Sequence, residues 1–249
     1  MLIATIGSCL SRNITDCLIG SRVLNSVYHN RSDRLVDILS TGGTKLKPLD
    51  ELCERMAVGR TETGEFSPPN LLRNQSAEGF GRHRLPDGIP FHRSLVEKRF
   101  DLILIDNFMD LGARLYRLPG GERYFCRYTR SQVPAGFRLG RRLTPQESAS
   151  NFREVVTLLR AAQPSAHIVF IHFPINNYPA GRKAEWARQL DEVLDLSPYA
   201  DVLALKEARP RYPDGEPQHF HFTEYMRYAA RILALHGRHR FPRLFRGPA

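Results

Sequence analysis

Two short stretches of the chain combine side-chain types that could carry out acyl transfer. Gly7, Ser8 and Cys9 directly follow an apolar run near the amino terminus, and His219 and His221 lie immediately before a late amphipathic stretch. A cysteine attacks as its thiolate, and imidazole is the usual general base near neutral pH. An early nucleophile combined with a late histidine is the arrangement that Cys/His and Ser/His catalysis uses. The two stretches therefore support each other as parts of one site.

The position of Cys9 favours a reactive thiol. The run "LIATI" (2–6) predicts a buried strand, and Gly7 permits a tight turn into a following helix. In an open parallel sheet, ligands bind outside the carboxyl ends of the strands. A helix N-terminus there presents N–H groups and the positive end of its dipole, which favours a thiolate. The alternative is that Cys9 is a small buried apolar side chain, as most free cysteines are.

The elements that would position these residues follow from hydrophobic patterning. Apolar runs predict core strands, namely 2–6, 100–106, 167–173 and 200–205, with 22–28 as a weaker fifth. Helical patterns lie between them over 10–19, 143–163, 181–196 and 222–236. Thr144, Pro145 and Glu147 form the sequence of a capped helix start. The alternation predicts an α/β fold, a three-layer sandwich around a mostly parallel sheet of about five strands.

The composition is that of an ordinary globular chain, with 249 residues, 42% hydrophobic and 25% charged. No linker separates two cores, so we expect a single domain over 1–249. Residues 59–94 are rich in Gly, Pro, Asn and Arg and predict an irregular excursion or lid.

No apolar run is long enough to span a membrane, and the amino terminus lacks a signal-peptide pattern. We therefore expect a cytoplasmic protein.

The net charge of +10 indicates either an anionic partner or solvated surface arginines. The basic tail at 236–249 could face nucleic acid, a membrane surface or a polyanionic saccharide. Because no nucleic-acid motif accompanies it, we expect a docked or partly disordered tail and no nucleic-acid partner. The four cysteines have no metal-ligand spacing, so we expect reduced thiols and no metal.

The order of these motifs resembles the SGNH/GDSL hydrolase superfamily. In that superfamily the nucleophile lies in a Gly-Asp-Ser-Leu motif, and residues 7–10, "GSCL", match it with Cys9 at the nucleophile's place. Three further stretches are similar to bacterial GSC-motif proteins associated with polysaccharide biosynthesis. They are "VYHNRSDRL" (27–35), "FDLILIDNFMD" (100–110) and "HFHFTEY" (219–225).

The resemblance implies catalytic roles for Cys9, with Ser8 beside it, and for one of the two histidines. His221 fits the His-Phe-Thr pattern, but the residue three positions before it is Gln218 rather than the superfamily's Asp. His219 is the alternative base, because Glu216 stands three residues before it.

The resemblance also implies an oxyanion hole. Its donors would be the backbone N–H of Cys9, a backbone N–H of Gly42 or Gly43, and the side chain of Asn107. The superfamily's Gly-x-Asn-Asp block lacks its Gly and Asp here, so Asp106 is the alternative functional residue, with an orienting or substrate-binding role.

The implied activity is hydrolysis of an acyl ester or thioester, or transfer of the acyl group to an acceptor such as a saccharide hydroxyl. This chemistry requires no cofactor. A coenzyme A thioester is a possible acyl donor, and Arg12, one helical turn after Cys9, or Arg31 would then bind its phosphates. The alternative function is a non-catalytic binding or scaffold protein on the same frame, which the altered Asn block and the missing Asp favour.

Overall fold

The central sheet holds five parallel strands at the middle of the molecule. The computed structural model describes residues 1–23, 30–42, 91–117, 123–127, 136–178, 181–204, 207–211 and 219–240. Its strands, in chain order, are β1 (Leu2–Ile6), β2 (Arg22–Val23), β3 (Leu102–Asp106), β4 (Arg114–Arg117), β5 (Arg123–Arg127), β6 (Arg138–Leu139), β7 (His167–Ile171) and β8 (Asp201–Leu203). The order in the main sheet is β2–β1–β3–β7–β8. All of its pairings are parallel.

The strands of this sheet form where the sequence is continuously apolar. Every residue of β3 and β7 is buried, as expected for strands with helices on both faces. In the register, Ile3 lies opposite Leu102 and Ile6 lies opposite Ile105, which brings the ends of β1 and β3 level. The predicted α/β class and five-stranded parallel sheet are confirmed.

Among the described residues, six α-helices lie on the two faces of the sheet. They are α1 (Cys9–Asp16), α2 (Ser32–Ser40), α3 (Phe91–Glu97), α4 (Pro145–Ala162), α5 (Arg182–Val193) and α6 (Phe222–Arg240). The capped start of α4 is confirmed, because the hydroxyl of Thr144 accepts the N–H of Glu147 at 3.2 Å and the Glu147 carboxylate accepts the N–H of Thr144 at 2.9 Å.

Two hydrophobic clusters define the layers. Leu10 of α1 and Ile232 of α6 pack on one face of the sheet. Leu35 of α2, Phe152 of α4 and Leu190 of α5 pack on the other. The result is a three-layer sandwich with α1 and α6 side by side on one side of the sheet.

The strand order reverses between β1 and β3. The chain passes from β1 to β2 through α1 on one face, and then reaches β3 and the later strands through helices on the opposite face. In open α/β sheets such a reversal leaves a crevice at the carboxyl edge, where ligands bind. Ser8 and Asn107 follow the two strands at this point.

Several elements were not predicted. Helix α2 begins within a run of buried polar residues, 30–34, which hides its apolar periodicity. A 3₁₀ helix, Phe108–Leu111, follows β3. A small antiparallel sheet of order β5–β4–β6 depends on pairing between short segments rather than on local pattern.

The predicted excursion and tail fall partly outside the described residues. Residues 59–90 of the excursion lie outside them, and residues 91–94 belong to α3. Residues 236–240 of the basic tail form the end of α6, and 241–249 lie outside. Within the described part of the chain, none of the helices has the length and apolar character needed to cross a lipid bilayer.

Candidate active site

The turn after β1 requires glycine at residue 7. Gly7 has a φ of +155°, a backbone conformation that other residues rarely adopt. A Cβ atom built there would lie 2.5 Å from the carboxylate of Asp106, closer than any van der Waals contact. The glycine therefore allows the carboxylate at the end of β3 to approach the backbone that leads into α1.

Ser8 caps α1 and is buried. Its hydroxyl accepts the N–H of Leu10 at 3.1 Å and donates to Asp106 Oδ2 at 3.1 Å. Only 3% of the residue is exposed. The hydroxyl is therefore engaged as donor and as acceptor in the helix start, while Cys9, the first residue of α1, is partly exposed and forms no disulfide. Of Ser8 and Cys9, it is Cys9, the predicted nucleophile, that has the accessible position.

Asp106 fastens the end of β3 to the start of α1. Its Oδ2 atom accepts the N–H groups of Ser8 at 2.8 Å and Ser11 at 3.2 Å, and its Oδ1 atom accepts the N–H of Phe108 at 3.1 Å. Burial raises the pKa of Asp106, and these hydrogen bonds oppose the shift. The carboxyl group faces backbone amides rather than solvent, so its geometry is that of an orienting group.

Asn107 presents a buried donor that has no hydrogen-bond partner among the described residues. Its Oδ1 atom accepts the N–H of Phe173 at 2.7 Å, which fixes the orientation of the amide. Its Nδ2 atom is buried and has no hydrogen-bond partner among the described residues. Leaving such a donor unpaired costs free energy unless a ligand satisfies it. These N–H groups belong to the residue directly after Asp106, whose carboxyl group holds the Ser8–Cys9 turn.

The two histidines project from one side of an extended segment. Residues 219–221 pair with 209–211, with Arg211 N–H donating to His219 O at 3.0 Å and His221 N–H donating to Arg209 O at 2.9 Å. Between them, Phe220 is 1% exposed and points into the core. Because side chains alternate along an extended chain, His219 and His221 both point away from that core, and both are partly exposed.

His221 stands directly before α6 and contacts its first turn. The Nδ1 atom of His221 lies 2.9 Å from Thr223 Oγ1 and 3.4 Å from Thr223 N. The hydroxyl of Tyr225 accepts the N–H of Phe220 at 3.1 Å, which ties the histidine segment to the same helix.

The structure brings the starts of α1 and α6 to one edge of the sheet. Helix α1 follows the end of β1, and α6 ends at the opposite edge, where Arg240 pairs with Asp101; the two helices pack against each other. Asn107 is linked to the histidine segment through Phe173, whose backbone it binds and whose ring centroid lies 5.5 Å from that of Phe220. Cys9, Asn107 and His221 therefore all belong to the carboxyl edge.

A polar groove runs beside the start of α6. A cavity of about 320 Å³ is lined by Asn176, Glu207, Ala208, Arg209, Thr223, Glu224 and Arg227. A second cavity of about 410 Å³ continues along α6 past Tyr228 and Arg231 and shares Glu207, Glu224 and Arg227 with the first. The groove reaches Thr223, the residue that contacts His221, so it offers space for a polar substrate at that end of the helix.

Gly42 is not brought to this edge. Ser32 at the start of α2 and Ser148 at the start of α4 both donate to the carboxylate of Asp110, at 2.5 Å each, so the two helices start together. Since α4 leads to the beginning of β7, α2 also runs toward the amino edge of the sheet. Gly42 follows the end of α2 with a φ of +56° and stands away from Cys9. Gly43, Glu216 and Gln218 lie outside the described residues.

The two predicted phosphate-binding arginines face internal partners. The guanidinium of Arg12 is buried and pairs with Asp16 at 2.8 Å. Arg31 is 1% exposed; it pairs with Asp33 at 2.7 Å and donates to the carbonyl oxygens of Ala113 and Arg141. These contacts tie the segment before α2 to the chain beyond β3, so each guanidinium has a structural role.

Sequence reasoning missed the polar network under α2. Asp110 is 1% exposed, and burial raises its pKa to about 6 against the hydrogen bonds from Ser148 and Ser32. It also missed the roles of Phe173 and Thr223. These residues adjoin predicted strand or helix ends, but the partners of Asp110 and Phe173 lie far away in the sequence, whereas Thr223 contacts His221 only two residues away.

Comparison with known proteins does not assign the chain to a family. No protein-family model matches the chain, and no curated protein sequence matches it. Among solved structures, the acetyl xylan esterase Est2A from the rumen bacterium Butyrivibrio proteoclasticus is similar, with a TM-score of 0.40 and 9% identity. The likeness covers 97% of this chain, which spans 64% of the length of that esterase. At this level it assigns no activity to the protein.

Proposed function

We propose that the protein transfers acyl groups from an ester or thioester to water or to an acceptor hydroxyl, with Cys9 as nucleophile and His221 as base. One observation supports this most strongly. The partly exposed Cys9 begins α1 at the strand-order reversal, on a turn held by Asp106, and the residue after Asp106 is Asn107, whose buried Nδ2 atom has no partner among the described residues. The nucleophile and the buried donor thus follow neighbouring strands at the carboxyl edge, where ligands bind in open parallel sheets.

The mechanism has two halves. The sulfur of Cys9 attacks the carbonyl carbon while its proton passes to Nε2 of His221, and the carbonyl π electrons move to oxygen. The N–H groups of Asn107 Nδ2 and of the Cys9 backbone would stabilise that oxyanion. Collapse expels the alkoxide or thiolate, which takes the proton from His221 and leaves an acyl thioester on Cys9. Water or a hydroxyl then gives its proton to His221, attacks the thioester and restores the thiol.

Asp106 serves this mechanism as an orienting group. It fixes the N–H groups of Ser8 and Ser11 and so holds the first turn of α1, whose dipole favours the thiolate.

The acceptor in this proposal is a polar hydroxyl compound such as a saccharide, since the groove beside Thr223 is lined by amide, carboxylate and guanidinium groups. The chemistry needs no cofactor. A coenzyme A thioester is the proposed donor for the transferase form. Its phosphates would have to compete with Asp16 for Arg12 and with Asp33 for Arg31.

Variant kinetics on an aryl acetate and on acetyl-coenzyme A test the proposal. Cys9→Ala and His221→Ala should each lower kcat/KM by at least about 10³-fold, as expected for a nucleophile and its base. Cys17→Ala, at the end of the same helix, should leave turnover unchanged. Equal turnover in wild type and Cys9→Ala would contradict the proposal. Loss in His219→Ala with retention in His221→Ala would move the base to His219.

A further inference from the structure

We infer that Thr223 is a positioning residue whose hydroxyl holds His221 in its proton-accepting form. The inference rests on the proposed function, because it assigns the group that orients the base. Its starting point is the contact between His221 Nδ1 and Thr223 Oγ1 at 2.9 Å, an ordinary hydrogen-bond length.

No carboxylate takes this position. Within the described part of the chain, His221 has no ion pair, and Thr223 supplies both groups that contact its ring. The backbone N–H of Thr223 also donates to Nδ1, at 3.4 Å, in a longer and weaker hydrogen bond than the contact with the hydroxyl. The two groups differ in what they permit, since the N–H only donates, whereas the hydroxyl donates or accepts.

Whether the partner of Nδ1 can accept a hydrogen bond decides which ring nitrogen of His221 is free to take a proton. When Nδ1 carries no proton, it accepts from Thr223 and the ring presents an N–H at Nε2, which cannot take a proton from a thiol. When Nδ1 carries a proton, the only neighbour of Nδ1 in the described residues able to accept it is Thr223 Oγ1, and Nε2 then has a free lone pair. The imidazolium formed after proton transfer needs the same acceptor.

The charged groups around this contact do not replace the hydroxyl. Glu224 is 7% exposed at its side chain and pairs with Arg227 at 3.0 Å on α6. Arg209, which accepts the backbone N–H of His221 through its carbonyl, and Glu207 line the groove on its other wall. Among the described residues, none of these side chains is hydrogen-bonded to the imidazole. We therefore expect removal of the Thr223 hydroxyl to change the protonation state of the His221 ring.

The test pairs Thr223→Val with Thr223→Ser. Valine keeps the shape and the backbone N–H but removes the hydroxyl, and serine restores the hydroxyl without the methyl group. We expect kcat to fall by about 10²-fold in Thr223→Val, the lower end of a general-base contribution, with KM little changed. The acidic limb of its pH–rate profile should move to lower pH, because the imidazolium loses its acceptor. Thr223→Ser should restore both.

A control and a second readout separate positioning from folding. Thr157→Val removes an exposed hydroxyl that donates to Arg153 O at 2.8 Å within α4, and should leave kcat unchanged. ¹⁵N NMR of His221, assigned by its loss in His221→Asn, should show less of the Nδ1-protonated form in Thr223→Val and recovery in Thr223→Ser.

The outcomes are distinct. A fall in kcat with an unchanged His221 tautomer would overturn the inference, and so would full activity in Thr223→Val. A wild-type protein with no acyl turnover would overturn the proposed function instead, and the tautomer measurement would still decide whether Thr223 orients His221.

Discussion

The two edges of the sheet both bury titratable side chains, but in different ways. At the carboxyl edge, one carboxyl group, that of Asp106, accepts backbone N–H groups from both flanking segments and fixes the turn before Cys9. At the amino edge, imidazole rings stack, with His167 and His239 centroids 4.7 Å apart and His167 and His236 centroids 5.5 Å apart.

Side-chain contacts hold the amino edge together with backbone hydrogen bonds, such as the one from Asp101 N–H to Leu2 O at 2.9 Å. His167 Nε2 lies 2.7 Å from Asp201, and Arg240 at the end of α6 pairs with Asp101. The rings stack rather than converge, and in the described ranges no group of three or more His, Cys, Asp or Glu side chains is placed to hold a metal ion. Shifted pKa values occur at both edges, so a shifted pKa does not by itself distinguish the candidate site; the partly exposed Cys9 and the buried Nδ2 atom of Asn107 belong to the carboxyl edge.

The largest expected effect is at the carboxyl edge. Gly7→Ala should lower the free energy of unfolding by about 3 kcal/mol or more, because it combines a disfavoured φ with a clash against the Asp106 carboxylate. Urea unfolding measures this difference. Gly237→Ala is the matched control: a Cβ there meets nothing within 4 Å, and alanine in a helix is favoured over glycine by up to about 1 kcal/mol. Equal stability of Gly7→Ala and wild type would show that the turn is not held as described.

The amino edge should show a smaller effect that depends on pH. Burial, followed by the neighbouring His167 and Arg240, lowers the pKa of His236 to about 4, and burial also lowers the pKa of His167. A histidine with a depressed pKa adds stability above its ordinary value near 6.5, and that stability is lost as pH falls from there toward the folded value. Asp110, whose pKa is raised to about 6, acts with the opposite sign over much of the same range.

The difference between wild type and His236→Gln isolates the histidine contribution. The variant should lose less stability than wild type between pH 6.5 and pH 4, by thermal unfolding at each pH. Its acyl turnover at neutral pH should match wild type, because the amino edge is remote from Cys9. If the stability of the two proteins changed equally with pH, His236 would not be a source of the pH dependence.

The fold was largely predictable because its signals are local. The strands β1, β3 and β7 are continuous apolar runs, and the capping box of Thr144 and Glu147 is contained in four residues. The location of Cys9 at the carboxyl edge followed from the rule for parallel sheets.

The interactions that hold the site were not predictable from the sequence alone. The bond between Ser8 and Asp106 joins residues 98 positions apart, and it exists because β1 and β3 become neighbours. The family resemblance implied Gly42 as an oxyanion-hole donor, but Gly42 follows the end of the unpredicted α2. The contact of His221 with Thr223 is local, yet its meaning depends on which ring nitrogen carries the proton.

The most direct test of the central claim is the mass of the protein during turnover. Intact-protein and peptide mass spectrometry after mixing with an aryl acetate, with a rapid acid quench, should find one acetyl group on the peptide that contains Cys9. Cys17, whose pKa is raised by burial and then by Asp16, should stay unmodified, and Cys9→Ala should show no adduct. Turnover without an adduct on Cys9, or an equal adduct on Cys17, would contradict Cys9 as the nucleophile.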